Sequence, residues 1–313
     1  MSHGLPGMPK LAEHLTKAVK PEPSDASDWN KALQFLAAGD GIEEALSKVM
    51  ASATLEGEVA TRTWELMSEA DLNVFSKRLA PQFNLPLARL LALLADTNHR
   101  NVHAITTNYD RIIEYAAEDQ NILWNTGFRP GYKTRSWGGK KVSLTTSPDK
   151  RAEATVHILK VHGSLDWFKS AEGSLVSIPL REKIPVGFRP AIVTPGGRKY
   201  ESSHYEPYRS AITESDILMK SAKAIMTIGF GFNDTHIQEK LNDRRSTNAK
   251  FLVLARTLTP SARSFLLSGH CRNYLALERK DDAKTNVYLG PKSAPIEVEG
   301  DLWSLEGFSS QLL

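Results

Sequence analysis

From residue 101 onward, the sequence alternates between short β-favouring apolar runs and turns, and several of the turns lead into helical segments. The runs are VHAITT, ATVHILKV, PAIVT, AIMTIGF and KFLVLA. Continuous apolar strands are typical of parallel sheets that are covered on both faces. The succession of strand, helix and strand predicts an α/β fold, with a Rossmann-like, mostly parallel sheet flanked by helices. Helices are predicted at about Arg111–Asp119, Pro207–Ala222 and Thr235–Asn242.

The N-terminal third follows a different pattern. From Met8 to about Leu94, apolar residues recur every three or four positions, which indicates helices. We interpret 21–100 as a helical cap or insertion and 101–313 as the Rossmann-like core of one domain spanning 1–313. Whether the helical segment covers a site or forms an oligomer interface is left open.

Composition narrows the possible function classes. Lys and Arg outnumber Asp and Glu by 39 to 36, and a surplus of three charges does not indicate nucleic acid or an anionic membrane as a partner. The only cysteine, Cys271, excludes an internal disulfide and a four-cysteine zinc site. The most apolar run, 85–95, is interrupted by Arg89, and the first residues do not form an export signal. We expect a cytoplasmic protein with no metal and no membrane contact.

Ligands of open α/β sheets bind at the carboxyl ends of the strands, so the loops after the predicted strands are the candidate sites. In TTNYD, Asn108 lies at the tip of a strand, and its amide can both donate to and accept from a sugar hydroxyl or a water. Asp110 directly precedes a helix, where a short acceptor commonly caps the backbone N–H groups. For Asp110, a cap and a ligand contact both remain open.

Two further loops contain residues that could take part in catalysis or ligand binding. In KVHGSLDW, His162 ends a strand before a glycine turn, and histidine is the residue type that can accept a proton from a hydroxyl or a water near neutral pH. In IGFGFND, Gly229 and Gly231 precede a helix, where backbone N–H groups can approach a phosphate or ribose. A tight turn with Asp234 as the helix cap is the alternative. Two glycines alone do not make the full dinucleotide fingerprint.

The segment from Gly127 to Arg151 combines glycine, proline, aromatic and basic residues, and we expect a long loop or an irregular hairpin. Aromatic rings among cations can hold single-stranded nucleic acid. A solvated loop explains the same composition, so direct nucleic-acid binding is not expected. The residues concerned are Phe128, Arg129, Tyr132, Lys133, Arg135, Trp137, Lys140 and Lys141.

Taken in order, TTNYD, KVHGSLDW and IGFGFNDTHI resemble the sirtuin-like family, specifically its bacterial branch of NAD-hydrolysing domains found in anti-phage defence systems. The segments GLPGMPKLAEHL, VTPGGRKYESSHYEPYR and DLWSLEGF are also similar, so the resemblance covers nearly the whole chain.

The resemblance implies roles for the three loops. Asn108 would contact the nicotinamide-side ribose and help to position water, Asp110 would line the nicotinamide pocket, and His162 would be the catalytic base. The glycine motif would contact the adenosine side. The residues assigned to NAD binding are Thr107, Gly163, Ser164, Gly229, Phe230, Gly231, Asn233 and Asp234.

The activity implied is NAD glycohydrolysis, which cleaves NAD to nicotinamide and ADP-ribose, in an effector subunit of an anti-phage, abortive-infection system. NAD would be the substrate. The chain would form a homo-oligomer and act with a separate partner, such as a HerA-type hexameric ATPase or a prokaryotic Argonaute. The alternative is a non-catalytic NAD or ADP-ribose sensor, or an assembly subunit of a defence complex.

The sequence departs from the family in two ways. Deacylating sirtuins hold a zinc ion with four cysteines, and one cysteine is present here, so neither zinc nor deacylase activity is expected. In the family, a strand and a Gly-Ala-Gly loop precede the segment that resembles GLPGMPKL, where only Met1, Ser2 and His3 precede it here. Either the true start lies upstream, or the chain lacks that strand and its contact with the pyrophosphate.

Overall fold

The structure is a computed structural model that describes residues 4–49, 51–97, 100–136, 154–196, 206–290 and 294–311. The chain forms two compact units, Ser2–Ile212 and Thr213–Leu313, called here the N-terminal and C-terminal units. The proposed single domain, with a helical segment over 21–100 and a core over 101–313, stays a prediction. Most of the predicted loop after Gly127, from 137 to 151, lies outside the described residues.

The N-terminal unit begins with helices, as the spacing of apolar residues predicts. Leu11, Leu15, Trp29 and Leu55 are buried together in one apolar cluster. Pro86 is the first residue of its helix, where the missing N–H and the fixed φ of proline are favourable. No helix in the described ranges is both long and apolar enough to cross a membrane. The helices are α1 (Met8–Ala18), α2 (Ala26–Ala37), α3 (Ile42–Ser47), α4 (Ala53–Arg78) and α5 (Pro86–Ala95).

A three-stranded parallel sheet follows, in the order β1-β4-β2. The register of β1 and β4 pairs Asn101 with Thr155 and Thr106 with Lys160, so the two strands end side by side. Val156 and Ile158 lie in one apolar cluster with residues of α5 and the next helix, α6. The predicted parallel sheet with flanking helices is confirmed. The elements are β1 (Asn101–Thr106), α6 (Ile112–Glu118), β2 (Leu123–Asn125) and β4 (Thr155–Lys160).

A second sheet of the same unit has the order β3-β6-β5-β7, and its pairs are antiparallel. The run PAIVT, which we predicted to join a parallel sheet, therefore pairs antiparallel with β5. It is continuously apolar because alternate residues enter two clusters: Ile192 packs with Trp64 of α4, and Ala191 packs with Trp167. Burial on both faces produces this pattern in either kind of sheet. The strands are β3 (Thr134–Arg135), β5 (Gly163–Ser170), β6 (Leu175–Ser177) and β7 (Phe188–Ile192).

The C-terminal unit contains a five-stranded sheet in the order β12-β11-β10-β9-β8. The pairs β8–β9 and β9–β10 are parallel, and the pairs β10–β11 and β11–β12 are antiparallel. The division between the two units falls within α7, after Ile212. The elements are α7 (Tyr208–Ser221), β8 (Ala224–Ile228), α8 (Thr235–Arg245), β9 (Lys250–Ala255), α9 (Pro260–Leu267), β10 (Tyr274–Arg279), β11 (Lys284–Leu289), β12 (Ile296–Glu299) and α10 (Leu305–Ser310).

A buried ionic contact joins α4 to the start of α6. Asp71 is fully buried, and its carboxylate accepts from the guanidinium group of Arg111 at 2.5 and 2.9 Å and from the Tyr115 hydroxyl at 2.6 Å. The backbone N–H of Arg111 also donates to Asp71, at 2.8 Å. The carboxylate thus bonds both the side chain and the backbone at the beginning of α6.

We predict that Asp71→Asn lowers the free energy of unfolding by about 3–5 kcal/mol, because the substitution leaves the Arg111 charge buried without a counter-charge. Urea denaturation measures the change. Glu13→Gln is the matched control, since Glu13 pairs with Lys17 at an exposed position and its loss should leave the urea midpoint unchanged. Equal effects of the two substitutions would contradict the prediction.

Candidate functional site

Two of the predicted loops lie at the carboxyl ends of β1 and β4. The loop 107–111 follows β1 and leads into α6, and the turn 161–162 joins β4 to β5. The backbone N–H of Val161 donates to the carbonyl of Thr106 at 3.1 Å, which continues the strand pairing to the start of the turn. The parallel register therefore places both loops at the same edge of the sheet.

Val193, directly after β7, connects the loop to the turn. Its carbonyl accepts from the Tyr109 hydroxyl at 2.5 Å, and its N–H donates to the carbonyl of His162 at 2.9 Å. The carbonyl of Tyr109 in turn accepts from the N–H of Leu165 at 3.0 Å. The backbones that carry Asn108 and His162 are thus held next to each other by three hydrogen bonds.

The predicted residues of these loops differ in exposure. Asn108 is exposed, and Thr107 and His162 are half-buried, so all three are accessible from solvent. Gly163 and Ser164 are buried. The Ser164 hydroxyl donates to the Tyr109 carbonyl at 3.4 Å, which places it beneath the loop. Asn108 and His162 therefore have exposed surface at this edge, whereas Ser164 does not.

Asp110 is buried at the start of α6. Its carboxylate accepts from the N–H of Ile112, the first residue of α6, at 3.1 Å, although the cap position itself is occupied by Arg111 and not by Asp110. Burial raises the pKa of the Asp110 carboxyl above its ordinary value, although the ammonium group of Lys160 lowers it. The side chain therefore serves the helix start, and its contact with nicotinamide stays a prediction.

Gly163 lies where no other residue fits. Its φ is +88°, and a Cβ atom at this position would lie 2.2 Å from the carbonyl oxygen of Ala191. The obstructing oxygen belongs to backbone, so it cannot move aside without shifting a strand. The glycine lets β5 approach β7 closely and turns the chain directly after His162.

The third predicted loop belongs to the C-terminal unit and follows β8. Gly229 is exposed with φ +63°, and no atom lies within 4 Å of the position that its Cβ would take. Phe230 is half-buried and packs against Phe232 at 5.0 Å between ring centroids. Asn233 is exposed. No atom obstructs the Cβ side of Gly229, but its backbone N–H donates to the carbonyl of Leu254 at 2.9 Å and is not available to a phosphate.

The other two residues of this loop make local contacts. Asp234 caps α8 by accepting from the N–H of Ile237 at 3.1 Å, which confirms the cap. The carbonyl of Gly231, which is half-buried, accepts from the Thr259 hydroxyl. The contacts assigned to NAD in this loop stay predictions.

Sequence reasoning missed a buried charged cluster beneath the first two loops. Lys160 is fully buried, and its ammonium group lies 3.0 Å from a carboxylate oxygen of Glu114, which is 5% exposed. Asp166 is also buried, and its carboxylate accepts from the Ser177 hydroxyl at 2.6 Å. Two features of the sequence could have indicated this cluster: a lysine at the end of an apolar strand, and a glutamate among the apolar residues of α6.

The described part of the chain shows no set of side chains arranged to hold a zinc ion. Within the described ranges, no group of three or more His, Cys, Asp or Glu side chains is arranged to hold a metal. Cys271 is buried, and burial raises the pKa of its thiol to about 11, which disfavours the thiolate that binds metal.

A cavity of about 470 Å³ lies in the C-terminal unit at the amino ends of β8 and β9. Lys223, Arg244 and Lys250 are among the residues that line it. It is at the opposite end of these strands from the loop 229–234, so it is not formed by the predicted ligand contacts.

We predict that Gly163→Ala destabilises the protein by roughly 2 kcal/mol or more beyond the loss caused by Gly173→Ala. Gly173 has a similar φ of +84°, but its nearest neighbour to an added Cβ is a lysine side-chain carbon at 3.8 Å. The pair separates the cost of a positive φ from the cost of the clash. Urea denaturation of both variants measures the difference, and equal losses would refute the clash.

A second prediction concerns Glu114. Burial raises the pKa of its carboxyl to about 7, although Lys160 lowers it. Between about pH 4.5 and 7 the folded protein therefore retains a proton that the unfolded chain has lost, so stability falls as pH rises through this window. We expect Glu114→Gln to remove this fall, which is on the order of 3 kcal/mol.

The measurement is the free energy of unfolding of both proteins, from urea denaturation, at intervals from pH 5 to pH 8. The difference between variant and wild type should shift in favour of the variant as pH rises. A difference that is constant with pH would show that Glu114 does not titrate in this range.

Comparison with known proteins found a matching family. A family model described as a SIR2-like domain matches residues 102–271, which is more than half of the chain. No curated protein matches the sequence significantly. A solved structure described as "Structural Basis for the Mechanism and Regulation of Sir2 Enzymes" is 15% identical, covers 64% of this chain and 68% of its own, and has a TM-score of 0.38.

Another solved structure, described as "The Structural basis for Sirtuin Substrate affinity", is 15% identical, covers 60% of this chain and 70% of its own, and has a TM-score of 0.33. Likenesses at this level add nothing to the family match. The match of the family model over 102–271 includes β1, β4 and the loops that carry Asn108 and His162. The chain belongs to the SIR2-like domain family.

Proposed function

We propose that the protein is an NAD glycohydrolase that cleaves NAD to nicotinamide and ADP-ribose. The observation that carries the proposal is the shared contact with Val193, which holds the loop of Asn108 beside the turn of His162. An amide and an imidazole at one sheet edge are the groups that this hydrolysis requires. Membership of the SIR2-like family supports NAD as the ligand.

The chemistry needs few groups. The N-glycosidic bond between C1′ of the ribose and nicotinamide breaks, and nicotinamide leaves as a neutral molecule because it takes the bonding electron pair onto its cationic ring nitrogen. The ribose becomes an oxocarbenium-like cation that must be stabilised and kept from wrong nucleophiles. Water then forms a new C1′–O bond and loses a proton, so NAD⁺ and water give ADP-ribose, nicotinamide and H⁺.

His162 is the residue we assign to that proton. A neutral imidazole can accept it from the attacking water or from a ribose hydroxyl, an effect commonly worth about 10²–10⁴ in rate. The residue lies in a two-residue turn between β4 and β5, and its backbone is bonded to Val193. A base held in this way is already in position when the substrate binds.

We assign to Asn108 the orientation of the substrate ribose and of the attacking water. Its side chain is exposed, while its own backbone N–H donates to the Thr106 hydroxyl at 3.0 Å. The amide can therefore accept from a ribose hydroxyl and donate to a water at the same time. We propose that it holds the nicotinamide-side ribose and the nucleophilic water in line.

Hydrolysis is favoured over deacylation by the cysteine count. Deacylation in the family depends on a zinc module of four cysteines, and this sequence has Cys271 alone.

A further part of the proposal is the biological setting. The protein would be an effector of anti-phage defence in the cytoplasm, and it would act as a homo-oligomer regulated by a separate partner such as a hexameric ATPase or an Argonaute. That setting rests on the resemblance of the motifs.

We predict that purified protein converts NAD to nicotinamide and ADP-ribose, and that His162→Ala slows turnover by about 10²-fold or more. Asn108→Ala should lower turnover as well, because the ribose and water lose their orientation. Chromatography of the reaction mixture identifies both products, and it is performed with and without a candidate partner.

The matched control is His270→Ala, since His270 is an exposed histidine in the C-terminal unit and far along the chain from the site. This variant should retain the wild-type rate. Near-normal NAD consumption by His162→Ala would defeat the assignment of the base. Calorimetric binding of NAD without any products, in all conditions, would select the sensor instead of the enzyme.

A further inference from the structure

Lys160 is the last residue of β4, and its side chain is completely buried. The ammonium group lies 3.0 Å from the Glu114 carboxylate and donates to two backbone carbonyls, those of Asp110 and, at 3.5 Å, Tyr109. An ammonium group has three protons, and three acceptors surround it here. Burying a charge costs several kcal/mol unless it is paired and hydrogen-bonded, so this arrangement depends on its geometry.

Two of the three acceptors belong to the loop between β1 and α6. Because α6 begins at Ile112, the carbonyls of Tyr109 and Asp110 lie outside the helix. The side chain of Lys160 therefore fastens the loop to β4 directly after Asn108.

The other side of Asn108 is held by the strand. Its backbone N–H donates to the Thr106 hydroxyl at 3.0 Å, and the Thr106 carbonyl accepts from Val161 at 3.1 Å. Asn108 is thus bracketed between two attachments to the sheet, one through Thr106 and one through Lys160. Its side chain remains exposed.

Glu114 completes the arrangement from α6. One carboxylate oxygen contacts Lys160, and the other, also buried, has no hydrogen-bond partner among the described residues. The carboxylate is therefore placed to offset the ammonium charge, and the ammonium group supplies the hydrogen bond of the carboxylate. Neither group is exposed enough for water to replace its partner.

We propose that Lys160 is a positioning residue, which through its two carbonyl contacts keeps Asn108 in place for the substrate ribose. Glu114 supports it by neutralising the buried charge. The effect on catalysis rests on the function proposed above, whereas the attachment of the loop does not. The site would then require a buried ion pair as well as the exposed side chains.

The test is Lys160→Met, which retains an unbranched apolar side chain as far as the ε position and removes the ammonium group. Hydrogen exchange by mass spectrometry reports on the amides of 107–112 without any ligand. We expect their exchange to accelerate by about 10-fold or more, since the loop loses its attachment. We also expect kcat to fall about 10- to 100-fold while KM changes less than about threefold, because orientation rather than binding is lost.

A double-mutant cycle distinguishes positioning from general destabilisation. If Lys160 acts through Asn108, then Lys160→Met should have little further effect on kcat in a protein that already carries Asn108→Ala. The control is Asp25→Asn, which alters another buried carboxylate, one that accepts from the Ser52 hydroxyl at 2.8 Å. This control should change neither kcat nor the exchange of 107–112.

Glu114→Gln is the second variant, used if Lys160→Met does not fold. At pH 8, where the Glu114 carboxyl is ionised, this substitution keeps an oxygen acceptor for Lys160 and removes the negative charge, so we expect exchange of 107–112 at that pH to rise by about threefold. Unchanged exchange in the folded variants, or fully additive losses of kcat, would overturn the proposal. Should the wild type fail to hydrolyse NAD, the proposed function falls, and the exchange measurements still decide whether Lys160 holds the loop.

Discussion

The candidate site depends on the contacts that the buried ammonium group of Lys160 makes. It lies at the end of a central strand, where it contacts a carboxylate of α6 and two carbonyls of the loop after β1. A second buried pair, Asp71 and Arg111, fixes the start of the same helix from α4. Charges enclosed in this way tolerate little change of geometry, because an unpaired charge in the interior is strongly unfavourable.

Backbone contacts next to these ion pairs hold the segments that bear Asn108 and His162. Val193 bonds both the hydroxyl of Tyr109 and the carbonyl of His162, and Gly163 lets β5 approach β7 immediately after that histidine. The polar side chains at the sheet edge are thus supported by contacts among buried and half-buried residues. These contacts hold the loop and the turn together without a ligand, as the proposed catalysis by orientation requires.

Much of the fold followed from local patterns. The helical N-terminal third, the strands at 101–106, 155–160, 224–228 and 250–255, and the cap by Asp234 agree with the structure, since each depends on residues close together in the chain. The direction of β7 did not follow, because a strand buried on both faces has the same apolar pattern in parallel and antiparallel sheets. Nor did the contact between Glu114 and Lys160, because these residues belong to different elements and lie far apart in the chain.

The order of residues along the chain is enough to set which residue types stand at the strand ends: an asparagine after β1, a histidine and a glycine after β4, and a glycine-containing turn after β8. Which of them a ligand can reach follows only from the folded chain. Asn108 is exposed and Ser164 is covered, although both follow strands, because the loop of Asn108 folds over the turn and is pinned there by Lys160, Leu165 and Val193. Exposure depends on contacts between distant segments, and spacing along the chain does not encode those contacts.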